Sequence, residues 1–436
     1  MYIDEPKQTY TYEMMTSDIK KLKELYPEVI DYQSLGQTQY GREIWAVKLG
    51  HGDATLFING SHHAREWITT TLSMNMIQQY AKSYYGNENL EGYQVRNLLN
   101  DVTIWFVPMV NPDGVTLQQQ GIEAFPGEVH NKLIEMNNDN TDFTRWKANA
   151  SGVDLNRNYD VQWETIPEND ADQSWAFHKG SEPFSTTETQ IIRDFTEKIN
   201  PMMVLAYHTS GQKLYWHYNH ESYHFDRDKK IAQTIENYTG YPIDRPKGSP
   251  SGGTYTDWFI QEYLRPAFTL ELNEYVEDRH VPVENFPSIW KKNKLVPLYA
   301  AQESYQIWTN RQQKLALDEE VYLTSQTTLF QSPRGQATQL NLTPQPVKAT
   351  AVKGDWFQIK TFAGDMWIRD DFTQLTPKEK VDESIQLAHK TRLYEHPSYH
   401  SKIVSSLASQ TVRAKAKWGD WYLIKTWIGD YWVKPQ

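Results

Sequence analysis

His63 and Glu66 follow directly on an apolar run at residues 55–59 and are separated only by Ala64 and Arg65. A strand that ends in a histidine and a carboxylate three positions apart can present both to one metal ion. Zinc accepts such mixed nitrogen and oxygen donors, and a catalytic zinc takes three protein ligands, keeping the fourth position for water. The spacing therefore asks for a sheet in which a second strand delivers a third ligand to the same end.

The chain offers that strand and more. Residues 201–207 form a short apolar run that ends at His208. Glu271 sits inside Phe268-Thr-Leu-Glu-Leu, a strand-like context in which an unpaired acid is costly. Burial lifts such a carboxyl toward the range useful for general acid–base work, and a nearby zinc pulls it back. Residues 152–158, Gly-Val-Asp-Leu-Asn-Arg-Asn, set an amide, Asn156, beside a guanidinium, Arg157, a planar fork suited to a carboxylate.

With these pieces in order, the chain resembles the M14 family of zinc carboxypeptidases. The shared motifs are His-Ala-Arg-Glu at 63–66, Asn-Pro-Asp-Gly at 111–114, Asp-Leu-Asn-Arg-Asn at 154–158, His208, Ser-Gly-Gly at 251–253 and Thr-Leu-Glu-Leu around Glu271, across roughly residues 10 to 305. The resemblance implies one Zn2+ on His63, Glu66 and His208, Glu271 as catalytic base, and substrate contacts from Arg65, Asn156 and Arg157. It leaves the oxyanion cation open between Lys147 and Arg145, because Arg145-Trp-Lys stands where pancreatic members have Trp-Arg-Lys. Gly248 stands where those members carry the tyrosine that caps the substrate carboxylate, a change that opens the site to substrates other than ordinary peptide C-termini.

Competing readings accompany several of these residues. His220-Glu-Ser-Tyr-His224 fits H-E-x-x-H, a metal pattern when it lies on a helix. Here it stands in an aromatic-rich stretch, ahead of a clearer helical pattern at 227–237. His62 adjoins His63, but alternation along a strand sends neighbours to opposite sides, which favours His63. Glu271 by itself also reads as a salt-bridged buried acid, Asn156 and Arg157 as a hydrogen-bond network, and Asp154 as structural.

Up to Arg311 the chain carries 28 Lys and Arg against 42 Asp and Glu, and beyond it 16 against 13. An acidic first part argues against nucleic acid as the main partner, while the mildly basic tail suits an anionic polymer. The 436 residues contain no cysteine, which fits a bacterial surface protein and removes disulfides from the argument. No stretch is long enough to span a membrane. The opening Met-Tyr-Ile-Asp-Glu-Pro lacks the basic start and apolar core of a secretory signal. The expected location is extracellular or cell-wall associated in a bacterium, with cytoplasm or spore as the alternative; oligomeric state is not legible.

The first part alternates strand-like and helical patterns, the mark of an α/β domain. Strands are expected at 55–59, 102–110, 201–207 and 267–272, and helices at 67–84, from a capping box at Ser185–Glu188 to about 199, and at 290–308. After Arg311 short Trp-, Tyr-, Thr- and Val-rich strands repeat: Gly-Asp-Trp-Phe-Gln-Ile-Lys-Thr-Phe-Ala-Gly-Asp-Met-Trp-Ile-Arg, ending at Arg369, matches the copy ending at Lys434. Leu329-Phe-Gln-Ser-Pro333 likewise matches Leu393-Tyr-Glu-His-Pro397. Trp356, Trp421, Trp367 and Trp432 are expected in the cores of two small barrels. The expected organisation is a peptidase domain at 1–312, with a mixed sheet flanked by helices, then barrels at 320–376 and 384–436 joined by a linker at 376–383.

These repeats are similar to bacterial SH3 domains, whose usual role is to hold an enzyme on the cell wall. The combination resembles the γ-D-glutamyl-L-diamino-acid endopeptidases, which implies peptidoglycan stem peptides as substrate and hydrolysis of the γ-D-glutamyl–meso-diaminopimelate bond. Alternatives are a metallocarboxypeptidase acting on ordinary peptide C-termini and an inactive wall-binding protein.

Overall fold

The computed structural model describes residues 1–4, 8–167, 173–219, 222–244, 252–323, 325–343, 345–369, 373–375, 379–395, 397, 401–418 and 420–435. Gly248, Ser251 and the His220-Glu221 half of the H-E-x-x-H pattern lie outside them. By internal contacts the chain divides into two compact units, Met1–Tyr305 and Gln306–Gln436.

The first unit is built on a mixed sheet of β1 (Ile30–Gln37), β2 (Glu43–Gly50), β3 (Ala54–Gly60), β4 (Val102–Val107), β5 (Met203–Thr209), β6 (Lys213–Tyr215) and β7 (Ala267–Leu272). Their spatial order is β1-β2-β4-β3-β5-β7-β6. The four central strands β4, β3, β5 and β7 run parallel, so their carboxyl ends open on one edge. They read as near-continuous apolar runs because helices cover both faces of a parallel sheet. On one side, Phe57, Val204 and Ala206 pack with Phe195, Tyr255 and Trp258.

Local chemistry moved several boundaries. β4 stops at Val107, before Pro108, which has no N–H to give a ladder. Helix Ile68–Gly86 ends on Asn87 in the left-handed conformation, two residues beyond the expected end. The capping box is not formed. The cap is Thr186, whose hydroxyl accepts from the Thr189 N–H, and Glu188 turns inward and is buried. The closing helix expected at 290–308 is two helices, Phe286–Asn293 and Val296–Arg311, separated at Pro297, whose ring would strike the Asn293 carbonyl in a continuous helix.

In the second unit, one antiparallel sheet runs from Leu315–Leu323 to Thr373–Leu375 and another from Glu379–Leu387 to Gly429–Val433. Each first strand begins about five residues before the expected boundary, and Glu379–Leu387 occupies most of the stretch read as a linker. Both strands carry an Asp- and Glu-rich segment at a register shift, between Ala316 and Glu319 and between Lys380 and Glu383. A bulge tolerates such residues where a regular half-buried strand would not. The four repeat tryptophans are buried as expected. Phe330 meets Trp356 edge-on at 5.0 Å, and Tyr394 meets Trp421 the same way at 5.2 Å, so the two copies repeat their packing as well as their sequence.

Candidate metal centre

Three adjacent strand ends assemble the site, as open α/β sheets place them. β3 stops at Gly60, and the chain turns at Ser61 (φ 51°) before the short helix Ala64–Glu66. His63 therefore faces the site because of this turn, and strand alternation has no part in it. His62 goes the other way: it is buried, with Nε2 2.9 Å from the Tyr159 hydroxyl. His208 lies inside β5, and Glu271 sits beside it in the β5–β7 register.

The donors converge. His63 Nδ1 lies 2.8 Å from Glu66 Oε1 and 3.2 Å from His208 Nδ1, which is 2.9 Å from Glu66 Oε2. One ligand atom from each of the three residues falls within 4.8 Å of the others, and all three residues are buried. On its far side His63 Nε2 reaches Asp154 Oδ1 at 3.0 Å. When that nitrogen donates its proton to Asp154, Nδ1 is left with a lone pair aimed at a carboxylate and at a second imidazole. Acceptors facing one another in a buried pocket need a cation between them, and this donor set of two imidazoles and a carboxylate is one that zinc favours. Burial raises the Glu66 carboxyl, but the charge and hydrogen bonds of His63 and His208 reverse this and hold it well below the usual carboxylate range.

Asp154, read from sequence as structural, is the residue whose part was missed. It is fully buried, caps the short helix Leu155–Arg157 through the Asn156 N–H, bonds His63 with Oδ1 and pairs with Lys147 through Oδ2. Burial alone would raise its pKa; Lys147 first and His63 second drive it far below the ordinary value. The available signal was its place in the Asp-Leu-Asn-Arg-Asn motif, two residues before Asn156.

Of the two candidate cations, the structure brings Lys147 to the site and leaves Arg145 outside. Lys147 is buried against Asp154, and its charge acts on both Glu66 and Glu271. Arg145 donates to the Asn137 side chain and carbonyl at 3.1 and 2.8 Å and lies over the Trp175 ring at 4.3 Å. Neighbouring residues 145 and 147 thus serve different surroundings. The Lys147 carbonyl receives the Ala64 N–H, which stitches the two site loops together. Asn111 adds a second stitch, its amide donating to the His62 and Ala148 carbonyls at 3.1 Å each.

Burial first, then the Glu66 charge, pushes Glu271 up to about 8, against the pull of Lys147, Lys213 and Arg157. Arg65 donates to the Arg145 carbonyl and pairs with Asp278 at 2.8 Å. Asn156 Oδ1 accepts from the Tyr255 N–H at 3.0 Å, and Arg157 donates to the Asn156 carbonyl at 2.7 Å. Gly253 (φ 65°) presses on this turn: a Cβ there would stand 2.3 Å from the Arg157 carbonyl oxygen. Only glycine permits that approach without strain.

Comparison with known proteins agrees with this geometry. Residues 15–336 match the family model described as zinc carboxypeptidase. The chain is 32% identical over 290 residues to gamma-D-glutamyl-L-diamino acid endopeptidase 1 of Lysinibacillus sphaericus, covering 66% of this chain and 70% of that one. It is 24% identical over 279 residues to human mast cell carboxypeptidase A, covering 60% and 62%. The crystal structure of thrombin activatable fibrinolysis inhibitor shares the fold at a TM-score of 0.55 and 19% identity, covering 69% of this chain and 75% of the other.

Proposed function

Because the chain belongs to the zinc carboxypeptidase family and is a zinc metallopeptidase, we propose that it hydrolyses the γ-D-glutamyl–meso-diaminopimelate bond of peptidoglycan stem peptides. The observation that carries this reading is the 32% identity over 290 residues to an endopeptidase named for γ-D-glutamyl-L-diamino acid bonds. Zinc held by His63, Glu66 and His208 would supply a Lewis acid that polarises the amide carbonyl and acidifies water. Glu271, beside His208, takes the proton of the attacking water and returns it to the leaving amine. Lys147 places positive charge where the oxyanion develops, and Asp154 holds both Lys147 and the His63 ring in place.

Diaminopimelate keeps a free carboxylate at its side-chain end even when the stem continues beyond it. The Asn156 amide and Arg157 guanidinium suit that group, so the enzyme has no need of an ordinary peptide C-terminus. In this reading the two β modules hold the enzyme on the wall and raise its local concentration there, and its work is extracellular.

The test is mass spectrometry of L-Ala-γ-D-Glu-meso-diaminopimelate, with and without D-Ala, after incubation with the zinc-loaded protein. Release of L-Ala-D-Glu from both substrates is the expected result. Loss of a terminal residue alone would overturn the endopeptidase reading in favour of a carboxypeptidase, and an inert zinc-loaded protein would leave only wall binding.

A further inference from the structure

The two modules carry matching aromatic residues that neither their cores nor their turns require. Strand Trp356–Thr361 turns into Gly364–Arg369 through Phe362 and Ala363, and Trp421–Thr426 turns into Gly429–Val433 through Trp427 and Ile428. The tips are built alike. Thr361 and Thr426 each donate their hydroxyl to the glycine carbonyl across the hairpin at 2.8 Å, and each accepts the N–H of the second tip residue. Phe362 is 79% exposed and Trp427 is 70% exposed.

Hairpin turns favour Gly, Asn, Asp and Ser, not large aromatics. Here Gly364 (φ 95°) and Gly429 (φ 127°) adopt the positive φ at each tip. Each module also has its own core, Leu329, Ile359 and Ile368 in one and Leu393, Ile424 and Val433 in the other. The rings are therefore spare for contact with something else.

Their surroundings narrow the occupant. Lys360 stands opposite Asp365 and Lys425 opposite Asp430, with Lys415 also paired to Asp430. Each tip thus offers one strongly exposed aromatic ring among opposed charges; in the second, Ile428 beside Trp427 is also 41% exposed, and the Tyr431 hydroxyl donates to its carbonyl. Binding to an anionic membrane surface draws on a basic cluster, and a protein interface on a packed group of anchors; among the described residues each lysine at the tips faces an aspartate, and the exposed apolar side chains are Phe362 at one tip and Trp427 with Ile428 at the other. A single ring with Lys, Asp and Thr around it suits a pyranose, whose C–H face is apolar and whose rim is hydroxylated. Repetition of the same tip in both modules suits a ligand that itself repeats.

Building on the wall-binding reading above, we infer that Phe362 and Trp427 are the stacking platforms on which the modules hold the glycan strands of peptidoglycan. Each ring lies on the C–H face of one sugar, and the two contacts together give the avidity that one lacks.

The test is co-sedimentation of the full zinc-loaded chain with purified sacculi, comparing wild type with Phe362→Ala, Trp427→Ala and the double variant. Each single change is expected to weaken retention about tenfold and the double change about a hundredfold or more. Unchanged thermal unfolding will show that the exposed substitutions leave the fold alone. Wild-type protein should also bind glycan strands stripped of their stem peptides, and should not bind phosphatidylglycerol vesicles. Retention of the double variant at wild-type level would overturn the inference, as would failure to bind peptide-free glycan or tip-dependent binding to vesicles. Turnover of the soluble tripeptide reads the catalytic proposal separately. If it is absent while sedimentation still depends on the tips, the catalytic proposal falls and this inference stands.

Discussion

Glu188 should make the protein lose stability as the pH rises from acid to neutral, and Glu188→Gln should abolish that loss. The carboxyl is 4% exposed, faces the Asn149 amide at 3.2 and 3.3 Å, and is pushed up from 4.5 to about 7, mainly by burial and further by Asp113. A shift of that size corresponds to about 3 kcal/mol. The sign follows from proton binding. The folded chain holds this proton more tightly than the unfolded chain, so the contribution is complete below pH 4.5 and disappears as the pH passes through about 7. Gln cannot ionise. The difference in unfolding free energy, variant minus wild type, should therefore rise by about 3 kcal/mol across that interval. Paired urea titrations at a series of pH values, with both proteins at the same zinc loading, measure this difference, and the metal-site histidines cancel in it. A solvated capping-box carboxylate would give the opposite trend, with the variant about 0.3–1 kcal/mol less stable at neutral pH through loss of its charge at the helix N-terminus. A flat or falling difference would refute the buried-acid account.

Three further outcomes are expected. Glu271→Gln should keep zinc at one per chain by elemental analysis and lower kcat by about 10²–10⁴; near-normal turnover would remove Glu271 as the base. Asp154→Asn should weaken zinc about 10–100-fold in a chelator competition, because His63 loses the carboxylate that orients its ring; unaltered affinity would make the Asp154 contact incidental. Arg145→Met should cost about 1–2 kcal/mol of stability and leave turnover per zinc within a few-fold, whereas a hundredfold fall in a well-folded variant would return Arg145 to the site.

Much of the centre could be read from the chain because metal chemistry restricts residue type and spacing together. His63, Glu66, His208 and Glu271 each border or occupy an apolar strand, and parallel strands of one sheet bring their carboxyl ends to one edge. The repeat in the second unit was legible for a similar reason: identical tryptophans at identical offsets bury identically.

Other features depended on groups distant in sequence. That Asp154 binds both His63 and Lys147 depends on contacts 91 and 7 residues away, which no local pattern encodes. The choice of Lys147 over Arg145 depends on Asn137 and Trp175 drawing the guanidinium away. Glu188 matched a capping box in sequence, but Thr186 capped the helix and Asn149 received the acid. The exposure of Phe362 and Trp427 likewise could not be separated from the burial of neighbouring aromatics until the hairpins were in place. Sequence alone marked the His63–Glu66 pair, the alternation of strands and helices, and the repeat, because each is written in local spacing, and the family resemblance added His208 as the third candidate ligand. Only the tertiary structure decided which charges meet and which rings stay in water, because those depend on what the rest of the chain brings alongside.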